Sequence, residues 1–253
     1  MKQDKRTIYR GTSGLVLPVP NKSMFPPEFQ DKSRLTYYAS LFNSIEINSS
    51  FYKLPMAATV KKWAESVPDD FQFTFKISQS ISHAPGLDFS NGDVAKFMHV
   101  VAPVENKKGC ILIQLPPSLK DADRQLRKLI KEIQRHDPSS QWKLCVEFRN
   151  KSWYNTDTYA LLNDYKTTLV IHDMHASGTP EVDVTTSFVY LRFHGPERGY
   201  KGSYTNDFLL ACARRIKDWE EEGKIVYVYF NNTIGDAVKN LMALNNNIYL
   251  ITS

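Results

Sequence analysis

Eight short strand-like runs, separated for the most part by stretches of helical periodicity, constrain this chain more than any other feature of it. They span residues 8–16, 44–48, 72–78, 110–115, 143–149, 168–173, 188–194 and 225–231. Between them Val60, Trp63, Ala64 and Val67 recur at the spacing of one helix face, as do Val94, Phe97, Met98 and Val101. Phe208, Leu209, Cys212, Ile216 and Trp219 predict a further helix ended by Gly223, and a last helix is expected over about 235–244. Strands alternating with helices imply a parallel sheet, because parallel neighbours need a crossover long enough to hold a helix. The stretch between the sixth and seventh runs is rich in Gly, Pro and acids, so that crossover is expected to lack a full helix.

Strand parity selects among parallel sheets. One side of each run is apolar: Ile45 and Ile47; Phe73, Phe75 and Ile77; Leu144, Val146 and Phe148; Val189, Leu191 and Phe193; Val226, Val228 and Phe230. The other side carries Glu46 and Asn48, Lys76 and Ser78, Gln114, Glu147 and Arg149, Arg192 and His194, Tyr229 and Asn231, gathered near the carboxyl ends of the runs. An open sheet covered on both faces makes both parities apolar, whereas a barrel tolerates polar side chains where its interior opens. The expectation is a single α/β domain over residues 1–253, a (β/α)8 TIM-type barrel with those residues around its mouth. A length of 253 residues suits one such unit.

Composition narrows the partners. The net charge of +5 comes from 32 basic and 27 acidic residues, too small an excess to identify nucleic acid as the ligand. The basic side chains of residues 118–138 alternate with Leu126, Leu129, Ile130 and Ile133 and read as the solvated face of a helix. No apolar run is long enough to cross a bilayer, and MKQDKRTIYR lacks an apolar signal core, so a cytoplasmic protein with no membrane partner is expected. Cys110, Cys145 and Cys212 share no C-x-x-C spacing and read as buried small residues.

The blocks FNSIEINSSFYKLP, FTFKISQSISH, ILIQLPPSL, VEFRNKSWY, FVYLRFHG, YKGSY and YVYFNN, taken in this order, resemble the YecE-like proteins, the domain of unknown function 72. The resemblance covers most of the chain and implies a TIM-type barrel while naming no reaction. Around Thr233 to Asp236 the sequence departs from the Gly-His-Ala-like pattern of that family's last βα loop.

The chemistry expected at the mouth follows from residue types. Glu147, His194, Glu46 and Lys76 are the candidate catalytic residues, as general acids and bases or as cationic groups for an anion. Asn48, Gln114, Arg149, Arg192 and Asn231 are candidate substrate-binding groups from the strands. The loop HGPERGYKGSY adds Gly195, Lys201 and Tyr204, and Asn232 follows the eighth strand, where barrels often hold phosphate. Trp153, with Tyr52 and Tyr204, is a candidate for ring stacking. A competing reading takes Glu147, His172, Asp173, His175 and His194 as metal ligands. Asn231, where a further acid would be wanted, and two nearby arginines argue against a cation, so no metal ligand is assigned. The expectation is a metal-independent enzyme for a small anionic or phosphorylated substrate, with hydrolase, lyase and isomerase chemistry all open and the cofactor unknown. The alternatives are a nucleic-acid-binding protein or metal-dependent phosphodiesterase, and a ligand-binding scaffold without turnover. If the mouth charges serve a ligand, neutralising Glu147 or His194 is expected to change stability little.

Overall fold

The computed structural model describes residues 6–252. Its strands are β1 (Ile8–Thr12), β2 (Ser44–Ile47), β3 (Gln72–Lys76), β4 (Lys108–Gln114), β5 (Lys143–Glu147), β6 (Thr168–His172), β7 (Phe188–Phe193) and β8 (Ile225–Phe230). All are parallel and pair in the order β1-β8-β7-β6-β5-β4-β3-β2. The helices are α1 (Arg34–Leu41), α2 (Ser49–Tyr52), α3 (Ala57–Glu65), α4 (Gln79–Ser82), α5 (Asn91–Val101), α6 (Asp123–Arg135), α7 (Thr156–Asp164), α8 (Asn206–Glu221) and α9 (Ala237–Thr252). The β6–β7 crossover is irregular throughout, as its composition implied.

The barrel closes between β1 and β2 largely through side chains. A Cβ at Gly11 would stand 2.0 Å from the Ser44 carbonyl oxygen, so only glycine admits so close an approach. Beside it Thr12 N–H donates to the Tyr38 hydroxyl at 2.7 Å, and that hydroxyl donates to Ser44 O at 3.1 Å. Arg10 N–H donates to Asn43 Oδ1 at 2.8 Å, and Asn43 Nδ2 donates to Ile8 O at 2.9 Å, so one amide stands in for a strand residue. At the open end Gly14 N–H donates to Glu46 O at 2.7 Å.

Two apolar clusters flank the sheet. The larger lies between strands and helices and contains Ile45, Phe73, Phe75, Val146, Phe148, Val189, Val226 and Val228, the apolar parity read from sequence. The smaller fills the barrel interior with Tyr9, Cys110, Leu112, Cys145, Val170, Phe188, Tyr190, Tyr227 and Tyr229. The interior is a packed plug at its amino end, with tyrosine hydroxyls satisfied from the wall: Tyr227 donates to Gln72 Oε1 at 2.6 Å, and Tyr229 bonds the hydroxyls of Ser44 at 2.6 Å and Thr74 at 2.9 Å.

The helices follow their amphipathic patterns with two corrections. In α8 the buried face is Leu209, Ala213, Ile216 and Trp219, while Phe208 is exposed and Cys212 half-buried, so the face is turned from the one expected. The last helix runs on to Thr252 rather than stopping near 244, because Leu244 and Ile248 are buried and Asn247 bonds Asn206 on α8. Helix α1, which the periodicity left unread, is capped by Ser33 accepting from Thr36 N, and α7 by Asn155 accepting from Thr158 N.

Candidate functional site at the carboxyl end of the barrel

Register stacks the interior parity into layers. Gln72, Thr74 and Lys76 climb β3, and Phe188, Tyr190, Arg192 and then His194 climb β7 and its end. Above the tyrosine plug sits an ionic layer. Arg192 donates from Nε to Glu46 Oε2 at 3.0 Å, from Nη2 to Glu46 Oε1 at 2.7 Å and from Nη1 to Glu147 Oε2 at 2.8 Å. Glu46 also accepts from Ser13 Oγ at 2.6 Å and from Tyr190 OH at 2.5 Å. Arg149 Nε donates to the other oxygen of Glu147. Glu46 and Glu147 are 0% exposed and Arg192 is 1% exposed.

Charges so deep survive only in pairs, and the pairing sets their titration. Burial raises both carboxyl groups toward the neutral form, but the guanidiniums win. Glu46 is held below the usual carboxylate range by Arg192, and Glu147 well below it by Arg149 and Arg192. Desolvation opposes the charge of Arg192, yet Glu46 and Glu147 raise its pKa.

Above this layer lies a rim open to solvent. His194 is buried (2% exposed); its Nδ1 faces Asn231 Nδ2 at 3.0 Å, and its Nε2 lies 3.3 Å from Glu147 Oε1 and 3.4 Å from Arg149 Nη2. Burial outweighs that carboxylate and pushes His194 down to about 4, so the ring is neutral at pH 7. Lys76 Nζ donates to Gln114 Oε1 at 2.7 Å and stands 4.0 Å from the centre of the Phe51 ring. Among the described residues it forms no ion pair. Desolvation and then Arg192 push it down to about 8. Asn48 lies between β2 and α2 with helical backbone angles, and its Oδ1 is buried without a partner; two residues on, Ser50 Oγ donates to Lys76 O at 2.7 Å. A cavity of about 390 Å³ next to His194 is lined by His175, Gly195, Glu197, Arg198 and Tyr200.

Several sequence-predicted residues lie elsewhere. Trp153 is wholly buried on the helix side, its ring stacked 4.8 Å from Phe148 and its N–H on Leu119 O, because the turn after β5 folds back onto the sheet. Tyr204 gives its hydroxyl to Asp173 and accepts Gly195 N–H at 2.6 Å, so it pins the loop rather than offering a stacking face. Asn232 Nδ2 is spent on Gly202 O and Asn240 Oδ1 at 3.0 and 2.9 Å, which seats the residue beside the loop after β7, and its Oδ1 is buried without a partner. Lys201 is exposed, and Gly195 has φ +105° with Lys201 O where a side chain would begin. Glu46, expected as an acid or base, has both oxygens occupied inside the barrel, as does Glu147. Glu147 is the carboxylate partner of Arg149 and shares Arg192 with Glu46, so its neutralisation, expected from sequence to be mild, should leave Arg149 without its carboxylate and cost more than that.

Glu147, His172 and His194 bring one potential metal-ligand atom each within 4.8 Å of one another. The donors are already committed, however. His172 Nε2 faces Phe148 O at 3.0 Å and Nδ1 accepts Met174 N–H at 3.3 Å, while Glu147 binds two guanidiniums. Asp173 accepts from His194 N at 2.7 Å and from Tyr204, and His175 bonds Pro196 O at 3.0 Å, so both tie loops together. Sequence reading missed Ser13 and Tyr190, which share the interior parity, and Phe51 and His83. His83 packs against Phe51 at 4.9 Å and is lowered by burial, Lys76 and Arg149.

Fold and site together define a TIM-type α/β barrel whose carboxyl-end mouth is built on a buried ionic layer. The family model described as "Protein of unknown function DUF72" matches residues 9–250, and the chain belongs to that family. It is 26% identical over 271 residues to the UPF0759 protein YunF of Bacillus subtilis, covering 92% of each chain. It is 37% identical over 82 residues to the UPF0759 protein YecE of Escherichia coli K12, or 32% of this chain and 30% of that one. Among solved structures, a DUF72 family protein of Thermotoga maritima superposes with a TM-score of 0.76 at 25% identity, covering 96% of this chain and all of that one (100%). A DUF72 family protein of Enterococcus faecalis gives 0.75 at 21% identity, over 96% and 98%. Among the described residues no helix is long and apolar enough to cross a membrane.

Proposed function

We propose that the protein is a metal-independent enzyme that binds a small anionic substrate in the carboxyl-end mouth of the barrel. The observation that carries this reading is the charge balance of the mouth. In the ionic layer two carboxylates, Glu46 and Glu147, face two guanidiniums, Arg149 and Arg192, and cancel, His194 is neutral, and Asp173 bonds His194 N–H and the Tyr204 hydroxyl, so the Lys76 ammonium is left without an ion-pair partner among the described residues. A partly buried cation held by an amide oxygen and a ring face is costly in the free protein, and a carboxylate or phosphate would compensate it. Arg149, half-buried at the rim, and Asn48 and Gln114 supply directional partners. In this reading Glu46 and Glu147 fix the guanidiniums, and His194 is the group available for proton transfer beside the cavity. The commitment of His172 and Glu147 to other bonds supports chemistry without a metal.

Calorimetric titration with inorganic phosphate and with simple sugar phosphates tests the reading. Saturable binding is expected, lost in Lys76→Met, with the variant as stable as the parent or more so. Absence of saturable binding by any of these anions would overturn it. Tight binding to DNA or RNA that weakens steeply with salt would replace it with the nucleic-acid reading.

A further inference from the structure

We propose that Lys76 is a nucleophile that forms an imine with the carbonyl carbon of a small substrate bearing a carboxylate or phosphate. The inference rests on the anion-binding reading above and deepens it by naming the substrate class. A lysine kept as a fixed charge is normally held by a carboxylate, whereas a nucleophilic lysine must spend part of its time neutral, as it does when desolvated or set beside other cations.

The surroundings of Lys76 are of the second kind. Its nitrogen touches the amide oxygen of Gln114 and the face of Phe51, both uncharged. Arg192 and Arg149 oppose its protonation; Glu147 and Glu46 favour it, but their charges are already taken by those guanidiniums. His83, at the end of α4, packs against the same Phe51 ring, and its pKa is lowered by burial and then by Lys76. With burial the leading cause, the amine is pushed down to about 8, within reach of neutrality at physiological pH. Asn48 Oδ1, buried and without a partner just past the end of β2, in the segment whose Ser50 Oγ bonds Lys76 O, would accept the hydroxyl of a carbinolamine. Arg149 is placed to hold the anionic group.

The step balances without an oxidant or reductant. The amine lone pair forms the C–N bond as the carbonyl π pair moves to oxygen, and a proton passes from nitrogen to that oxygen to give the carbinolamine. The nitrogen lone pair then expels the hydroxyl, which leaves as water with a proton delivered by solvent. A protonated imine remains, able to withdraw electrons from the neighbouring carbon.

The test is reductive trapping of the whole protein with pyruvate and, separately, an aldehyde phosphate, using borohydride and locating the adduct by peptide mass mapping. Lys76 is expected to be modified roughly ten-fold or more faster than exposed lysines such as Lys53 and Lys61, since the neutral amine is the reacting form. The rate should rise through about pH 8 and fall when inorganic phosphate is added. Lys76→Arg should retain phosphate binding and lose the adduct. Labelling spread evenly over exposed lysines, or Lys76 unmodified, would overturn the proposal. If Lys76 stays unmodified while phosphate still titrates, imine chemistry falls and anion binding stands; if neither is seen, both fall. Mapping on the unaltered protein keeps the test independent of how the variant folds.

Discussion

Glu46→Gln tests whether the ionic layer is held by charge. The change keeps the shape of the side chain but removes the negative charge facing Arg192, a guanidinium 1% exposed. It also turns an NH2 group toward donors: Glu46 accepts from Ser13, Tyr190 and two nitrogens of Arg192, and an amide offers one acceptor oxygen where the carboxylate had two. Removing one partner of a buried pair costs about 3–5 kcal/mol. The lower end applies because Arg192 keeps Glu147 on Nη1 at 2.8 Å. A loss of about 3 kcal/mol corresponds to a fall in Tm of about 6–12 °C for a domain of this size. Reversible urea denaturation should show the midpoint falling with an unchanged slope. Replacing both Glu46 and Arg192 by Leu leaves Glu147 paired with Arg149, so the double variant should lose about 2 kcal/mol less than the sum of the single ones. A Glu46→Gln protein within about 0.5 kcal/mol of the parent would refute the assignment of Arg192 as a buried, charge-held group.

Three further outcomes follow from the geometry. His194, lowered to about 4 from an ordinary value of 6.5, stays neutral while the unfolded chain takes up a proton, so stability should decline as pH falls from about 6.5 to about 4. His194 should contribute a slope approaching about 1.4 kcal/mol per pH unit, and His194→Gln should remove that share in denaturation curves between pH 7 and 5, leaving the part due to His83 and His172, which burial also lowers. Tyr38→Phe leaves the buried Thr12 N–H without its acceptor and should cost about 1–3 kcal/mol, with amide exchange rising first at β1 and β2. Gly195→Ala places a methyl 2.2 Å from Lys201 O at φ +105° and should lower the melting temperature and shift the Tyr204 hydroxyl resonance as the loop moves off Asp173.

The eight strands, their parallel sense and the missing crossover helix were legible because each depends on local pattern: apolar alternation, helical spacing between runs, and Gly and Pro where no helix can form. Parity likewise placed Glu46, Lys76, Glu147, Arg149, Arg192 and His194 in the mouth, since alternate residues of a strand must face opposite sides. The directions of the Trp153 and Tyr204 rings were not legible because both lie in loops, where no period dictates direction, whereas Asn232 does sit beside the loop after β7. Only the tertiary structure decided which charges cancel. Arg192 on β7 reaches Glu46 on β2 and Glu147 on β5, far apart in sequence and brought together only by closure of the barrel, whereas Lys76 has no ion-pair partner among the described residues. Sequence pattern sets which side of a strand a residue faces, but the partner across a closed barrel depends on register and shear, which accumulate around the whole sheet.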